Sequence, residues 1–240
     1  DGTVVLVCAS EGIMPQTENV LKQAIRERVK PVLFINKVDR LIKEMCYTPE
    51  QMQARFVEII TEFNQLVERM AELEYKQKWK VSIQEGSVAF GSARDNWAMS
   101  LPYMQKKGVN FKQIMNIYNL PQDERDKWVW DNAPLNEVIL DMVIKHLPTP
   151  SEAQIYRIPK IWHGDLDSQL GKDLMTCNPT GKVAFCITRV LVDLKSQREI
   201  AAGRLFSGTI KNGMQIYLNN AKRYAKVQQV LVYQGIKQVQ

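Results

Sequence analysis

The sequence has no long hydrophobic run. Across its 240 residues, no apolar stretch approaches the roughly 18 residues that a membrane-spanning helix needs. The opening DGTVVLVCAS is apolar but short and carries no basic leader, so it predicts a β-strand rather than a signal peptide. We therefore expect a protein that does not insert into a membrane.

Cysteine and histidine are both scarce. The four cysteines are Cys8, Cys46, Cys177 and Cys186, and the two histidines are His146 and His163. The cysteines form no C-x-x-C pair and the histidines are far apart, so neither a metal centre nor a disulfide framework is predicted. Cys8 and Cys186 lie inside apolar runs and are expected to be buried, unreactive thiols. This usage favours a reducing, cytoplasmic location.

The excess of positive charge is small. The formal net charge is +6, which permits contact with a polyanion such as RNA. No dense Lys/Arg run with interleaved aromatic residues marks a nucleic-acid-binding face. The charge alone therefore favours an RNA partner only slightly.

The pattern of an α/β domain is present from the start of the chain. Residues 3–9, TVVLVCA, form a continuous apolar run typical of a strand buried on both faces of a parallel sheet. A helix is predicted over about 17–27, and PVLFI (31–35) is the second buried strand. Strand, helix and strand within about 35 residues predict a right-handed βαβ unit.

A long helical stretch follows Asp39. Thr48, Pro49 and Gln51 form the pattern of a helix start, with a capping residue, a proline at the first position and a glutamine three residues after the cap. Apolar residues then recur at helical spacing. They are Met52, Phe56, Ile59, Ile60, Phe63, Leu66, Val67 and Met70.

Two segments complete the first half. SVAFGSA (87–93) predicts a third strand, and residues 94–132 are expected to be helical and rich in loops. Three tryptophans there are expected to anchor the packing: Trp97, Trp128 and Trp130. An amphipathic helix then runs to the prolines Pro148 and Pro150, which should end it.

The sequence pattern changes in the second half of the chain. Residues 155–240 carry short β-rich runs, and Asn212–Gly213 is a strong signal for a tight turn. Regularly spaced short strands predict a small antiparallel barrel or sandwich. We therefore expect two domains, at residues 1–150 and 155–240.

The most informative stretch is PVLFINKVDR (31–40), because a buried strand ends in an amide, an ammonium and a carboxylate. Asn36, Lys37 and Asp39 follow this strand, and Ser92 and Ala93 follow SVAF in the same way. Ligands bind at the carboxyl ends of parallel strands, so these five residues are expected to share one edge of the sheet. The alternative is an ordinary turn in which Asn36 and Asp39 cap local backbone groups.

Guanine is the ligand whose hydrogen-bonding groups fit this set. Its N1–H and exocyclic amino group are adjacent donors, and an ionised Asp39 can accept from both. Adenine lacks this donor pair and would leave the carboxylate unpaired. A backbone N–H near Ala93 can donate to the base carbonyl, the stem of Lys37 can cover the flat ring, and Asn36 can bridge the two loops.

Several longer strings resemble one family. The segment from DGTVVLVCASEGIMPQT to INKVDRLI, together with GSVAFGSARDNWA, VILDMVIKHLPTPSEAQ and AAGRLFSGTIKNGMQIYL, is similar to the translational GTPases, above all to elongation factors of the archaeal and eukaryotic kind. The resemblance spans essentially the whole sequence. It implies an α/β fold in which an incomplete P-loop GTPase parallel sheet, with a helical insertion at about residues 43–86, precedes an antiparallel β-barrel domain. That barrel domain is expected to be incomplete at its C-terminal end.

The resemblance also implies roles for the residues at the strand ends. Asn36, Lys37 and Asp39 match the family's guanine-recognition motif, and Ser92 and Ala93 match its second base-contacting loop, with GTP or GDP as the ligand. The family couples GTP hydrolysis to the movement of tRNA and mRNA through the ribosome. The implied partner is therefore the ribosome, through its RNA and its proteins.

The parts that handle phosphate are missing from the sequence. It contains no G-x-x-x-x-G-K-[ST], no P-loop Ser or Thr for Mg²⁺ and no D-x-x-G switch. We therefore expect an internal piece of a larger factor that has no catalytic residue or metal ligand of its own and does not hydrolyse GTP in isolation. Mg²⁺ is expected only in the complete protein, and His146 and His163 are expected to be structural or surface residues. The alternative is a non-catalytic scaffold or RNA-associated GTPase-like module, such as a spliceosomal relative.

Overall fold

The computed structural model describes residues 1–193, 198–234 and 237–239. The chain divides into two compact units, Asp1–Thr149 and Pro150–Gln240. Among the helices in these ranges, none combines the length and the apolar character needed to cross a membrane.

A four-stranded sheet forms the centre of the first unit. Its strands, in spatial and chain order, are β1 (Gly2–Cys8), β2 (Lys30–Asn36), β3 (Val88–Ser92) and β4 (Trp97–Ser100). β2 pairs in parallel with both β1 and β3, whereas β4 pairs antiparallel with β3. The three predicted parallel strands are therefore confirmed, and a fourth strand that was not predicted extends the sheet.

The two outer faces of β1 differ in burial. Residues 31–35 of the central strand β2 are all buried, as a strand covered on both faces requires. In β1, Val5 and Val7 are buried, but Leu6 on the opposite face is 58% exposed. The prediction that β1 is buried on both faces is therefore wrong at Leu6. β1 is an edge strand, and the described residues leave this side chain uncovered.

The helices of the first unit connect and flank these strands. They are α1 (Pro15–Arg26), α2 (Val38–Lys43), α3 (Pro49–Met70), α4 (Leu101–Lys107), α5 (Phe111–Asn116), α6 (Gln122–Asn132) and α7 (Leu135–His146), with a 3₁₀ turn at Ile117–Asn119 between α5 and α6. The helix predicted over about 17–27 is α1. Its Leu21 and Ile25 are buried, but Val20 is exposed.

The start of α3 has the geometry that its sequence predicts. The N–H of Gln51 donates to Thr48 Oγ1 (3.3 Å), and the N–H of Thr48 donates to Gln51 Oε1 (2.9 Å). This reciprocal pair satisfies two backbone donors that would otherwise lack partners at the helix start. The apolar stripe is also confirmed, since every member except the half-buried Met70 is buried.

The stretch at 94–132 is only partly as expected. Trp97 lies in β4 and is completely buried, so it is a packing anchor. Trp128 is half-buried and Trp130 is 74% exposed on α6. The prediction for Trp130 is therefore wrong, because its position on α6 points away from the buried Val129.

The second unit begins with helices rather than strands. These are α8 (Pro150–Ile161) and α9 (Gln169–Met175), and the first strand begins only at Ala184. The chain does leave the preceding helix at the predicted point, since α7 ends at His146. Pro150 then starts α8, because a proline at the first helical position loses no intrahelical hydrogen bond.

The strands of the second unit form antiparallel pairs. They are β5 (Ala184–Asp193) with β6 (Arg198–Ser207), β7 (Gln215–Leu218) with β8 (Arg223–Lys226), and β9 (Val232–Gln234) with β10 (Lys237–Val239). The described residues thus contain the predicted antiparallel strands but no closed barrel. The predicted turn is present, with Gly213 at a φ of +79°, where glycine is favoured.

The cysteine predictions fail in part. Cys8 is half-buried and its thiol lies 3.2 Å from the Ser10 hydroxyl, whereas Cys186 is exposed on β5. Cys186 was predicted to be buried because its neighbours are apolar. β5 belongs to a two-stranded sheet, and several of those neighbours, such as Ile187, are exposed as well.

Candidate functional site

The predicted site residues lie at one edge of the sheet. β2 and β3 run parallel, with Ile35 paired to Phe90, so both strands end on the same side. Asn36 is the last residue of β2 and Ser92 is the last residue of β3. The parallel register therefore brings together two loops that are far apart in the sequence.

The side chain of Asn36 bridges these loops. Its Oδ1 accepts a hydrogen bond from the N–H of Ala93 (3.0 Å) and a second from the N–H of Lys37 (2.8 Å). Its backbone carbonyl also accepts from the N–H of Ala9 (2.8 Å), which ties the end of β1 to the same point. One residue thus fixes the ends of three strands relative to one another.

Lys37 makes the sharp turn between β2 and α2. Its φ of 62° and ψ of 34° place it in the left-handed region, which costs a non-glycine residue roughly 1–2 kcal/mol. The hydrogen bond from its own N–H to Asn36 helps to hold this conformation. The side chain is exposed, so its aliphatic stem is free to lie over a flat ligand.

Asp39 is the unusual member of the set. It lies in the first turn of α2 and is only 6% exposed. Among the residues that the structure describes, no side chain or backbone group forms a hydrogen bond or an ion pair with its carboxylate. Neither of its two oxygens is cut off from solvent, so both remain available to a ligand that brings donors.

The Ser92–Ala93 turn is shaped by local hydrogen bonds. Ser92 is completely buried, and its Oγ accepts from the N–H of Asp95 (3.2 Å). Ala93 is exposed. The sequence predicted that a backbone N–H near Ala93 donates to a base carbonyl. The N–H of Ala93 itself already donates to Asn36, so that donor would have to be another group of this turn.

A second set of contacts lies behind the turn, and sequence reasoning did not identify it. The carboxylate of Asp95 accepts a hydrogen bond from the Tyr118 hydroxyl (2.9 Å) and lies 3.6 Å from the Lys43 ammonium. The indole N–H of Trp97 donates to the same hydroxyl (2.7 Å). Lys43 and Asp95 follow the two motifs closely, but nothing in the sequence marked Tyr118.

The electrostatics of this cluster keep the phenol protonated. Burial raises the pKa of Tyr118 above its ordinary value of 10.0, and the hydrogen bond to Asp95 and the charges of Asp95 and Asp39 raise it further. Tyr118 therefore acts as a neutral hydrogen-bond donor.

The loop between β1 and α1 is held against the same edge of the sheet. Arg55 of α3 donates from Nε to the carbonyl of Ala9 (3.1 Å) and from Nη2 to that of Ser10 (3.2 Å). Arg40 of α2 lies 3.6 Å from Glu11. The loop is thus attached to α2, which carries Asp39, and to α3.

The described residues contain no group of three or more His, Cys, Asp or Glu side chains that could hold a metal ion. His163 is exposed, and His146 is half-buried on the last turn of α7. The polar groups at the strand ends are the carboxylate of Asp39, the exposed side chain of Lys37 and the bridging amide of Asn36.

Known proteins resemble the chain along its whole length. Elongation factor 2 of Nanoarchaeum equitans is 54% identical over 242 residues, and elongation factor 2 of Methanocaldococcus jannaschii and of Thermococcus kodakarensis are each 53% identical over 239 residues. Each match covers 100% of the chain but only 32–33% of the relative, so the chain spans about a third of the length of these curated relatives.

A family match agrees with these relatives. Residues 1–149, which make up the first unit, match the family described as the elongation factor Tu GTP binding domain. This is more than half of the chain. The chain therefore belongs to the GTP-binding domain family of elongation factor Tu, that of the translational GTPases.

Proposed function

We propose that this chain is part of a cytoplasmic translation elongation factor that binds GTP and couples its hydrolysis to ribosomal translocation. Within that factor, the edge formed by β2 and β3 recognises the guanine base. The observation that carries the proposal is the carboxylate of Asp39, which has no protein partner among the described residues and follows Asn36, the residue that bridges to Ala93, by three positions.

The donors of guanine complement this carboxylate. The base offers N1–H and the exocyclic amino group side by side, and the two oxygens of Asp39 accept both. Adenine offers no donor at N1, so it leaves the buried charge uncompensated and is rejected strongly. Lys37 covers one face of the base with its stem, and Asn36 keeps the two loops at a fixed separation.

The phosphates and Mg²⁺ are handled outside this segment. Phosphoryl transfer depends on backbone N–H groups, a lysine and a metal ion around the phosphates, and this sequence contains no P-loop motif that could supply them. The segment therefore supplies base specificity, while other parts of the factor supply Mg²⁺ binding and hydrolysis. The ribosome, through rRNA and ribosomal proteins, is the partner that the elongation factor 2 relatives suggest.

The base assignment is tested by Asp39→Asn in a complete protein that carries this segment. Xanthine has a carbonyl where guanine has its amino group, and an amide can donate to that carbonyl. Loss of hydrogen bonds to a charged acceptor should weaken GTP binding by at least roughly tenfold, while xanthosine triphosphate binding improves. Both affinities are measured by competition with a labelled nucleotide.

A matched control is Asp141→Asn, which removes a carboxylate on α7, outside the base-facing residues. It should leave the ratio of GTP to xanthosine triphosphate affinity at its wild-type value. An unchanged ratio in Asp39→Asn as well would remove Asp39 from base recognition.

A further inference from the structure

A half-buried tyrosine from a distant part of the chain contacts the second base-facing loop. Tyr118 lies on the 3₁₀ turn between α5 and α6, yet its hydroxyl donates to Asp95 Oδ2 at 2.9 Å. Asp95 follows Ala93 by two residues, and its own N–H donates to Ser92 Oγ. The phenol therefore acts on the same short turn whose Ala93 N–H bonds to Asn36.

The hydroxyl of Tyr118 is itself fixed by its neighbours. It accepts the indole N–H of Trp97 at 2.7 Å, and Trp97 is completely buried in β4. With that lone pair occupied, its proton points toward Asp95. A hydroxyl that accepts from one side and donates to the other orients its partners more tightly than a single bond does.

The same carboxylate is also linked to the helix that carries Asp39. The Lys43 ammonium of α2 lies 3.6 Å from Asp95 Oδ2 and 4.6 Å from the centre of the Tyr118 ring. The ring thus supports the cation while its hydroxyl binds the anion. The two base-facing loops are therefore connected twice, in front by Asn36 and Ala93, and behind by Lys43, Asp95 and Tyr118.

We propose that Tyr118 is a positioning residue for guanine recognition, which acts through Asp95 and Lys43 to hold the Ser92–Ala93 turn at a fixed distance from the helix that presents Asp39. This inference rests on the proposed function. It assigns base affinity in part to a side chain that does not belong to either motif, and it makes the 3₁₀ turn between α5 and α6 a structural support of the site.

The test is Tyr118→Phe in the 240-residue chain, with Tyr103→Phe as a matched control. Tyr103 also donates its hydroxyl to a carboxylate, that of Glu137 (2.8 Å), and it is buried. Both variants remove one such bond, but only Tyr118→Phe releases Asp95. Guanosine monophosphate affinity is measured by NMR titration, and amide hydrogen exchange at Ala93 is measured without nucleotide.

We expect Tyr118→Phe to accelerate exchange at Ala93 and to weaken guanosine monophosphate binding by roughly five- to tenfold, which is less than the full loss of a hydrogen bond to a charged group because Tyr118 acts on the base only through the turn. The ratio of guanosine to xanthosine monophosphate affinity should not change, since Asp39 is intact. Tyr103→Phe should leave the affinity and the Ala93 exchange rate at their wild-type values, even if it lowers the melting temperature to the same extent.

A second variant covers the case in which Tyr118→Phe fails to fold. Lys43→Met keeps the aliphatic stem of a half-exposed side chain and removes only the charge beside Asp95, so folding is not at risk. It should shift both readouts in the same direction by a smaller factor.

The outcomes separate this inference from the function on which it rests. If the wild-type chain binds guanosine monophosphate with a selectivity that depends on Asp39, and both variants keep wild-type affinity, the positioning role is overturned while the base site stands. If the wild-type chain shows no selectivity for guanine, the base assignment fails and the positioning role fails with it.

Discussion

At the scale of single residues, His146 is predicted to make stability depend on pH. Its Nε2 is buried and has no hydrogen-bond partner. Burial lowers its pKa from the ordinary value of 6.5 and the charge of Lys30 lowers it further, against a smaller opposing effect of Glu85. In the pH window just below 6.5, the unfolded chain therefore binds this proton more readily than the folded one.

The melting temperature should consequently fall as the pH is lowered from about 7 toward the folded-state pKa, and His146→Gln should flatten that part of the curve. His163 is exposed and serves as the comparison. His163→Gln should keep the wild-type pH profile. The range from about pH 5 to about pH 7 brackets the ordinary histidine pKa. If the His146→Gln and wild-type profiles superimpose over that range, this interpretation of the buried nitrogen is contradicted.

The positions of the strand-end residues at one edge of the sheet could be predicted because their signals are local. Asn36 and Asp39 stand directly after an apolar strand, and Ser92 stands directly after another, so strand ends alone predict their meeting. Tyr118 could not be predicted, because its bond to Asp95 spans 23 positions and depends on how the helices after β4 pack. Cys186 was misjudged for a related reason, since an apolar neighbourhood in sequence does not establish a packed layer in space.

At the scale of elements, the Thr48 cap is predicted to stabilise α3. Thr48→Ala removes the oxygen that accepts the N–H of Gln51, and the loss of such a cap costs about 1 kcal/mol. The mid-point of urea unfolding should fall accordingly. Thr61→Ala is the matched control, because Thr61 is exposed within the same helix and bonds only to the carbonyl of Val57. It should be neutral or slightly stabilising, since alanine has the higher helix propensity.

Equal losses of stability in the two variants would show that the threonines act through helix propensity and not through the cap.

The contrast between α3 and β4 explains which elements were predictable. α3 has a cap, a proline and an apolar stripe over 22 residues, all of which are local signals. β4 has four residues, all buried, and its antiparallel pairing with β3 depends on a turn through the base-facing loop.

At the scale of the whole molecule, the proposed base site lies within the first of the two compact units. All five base-facing residues and their supporting cluster lie in the unit Asp1–Thr149. Shortening the chain to residues 1–149 should therefore preserve the proposed preference for guanosine over xanthosine monophosphate.

Sequence patterns predicted the α/β character of this unit and the antiparallel strands after it. They did not foresee α8 and α9, which precede the first strand of the second unit at Ala184.

Hydrolysis is the property that the chain should lack. It contains no G-x-x-x-x-G-K-[ST] motif, and its described residues offer no acidic or histidine cluster for a metal ion. Without those groups the charge on a transferring phosphoryl group is not stabilised. Phosphate release from GTP with Mg²⁺ should therefore equal the buffer rate, whereas a complete protein carrying the same segment should turn over. Magnesium-dependent turnover by the 240-residue chain that disappears in Asp39→Ala would show that these strand ends form a larger part of the catalytic site than base recognition requires.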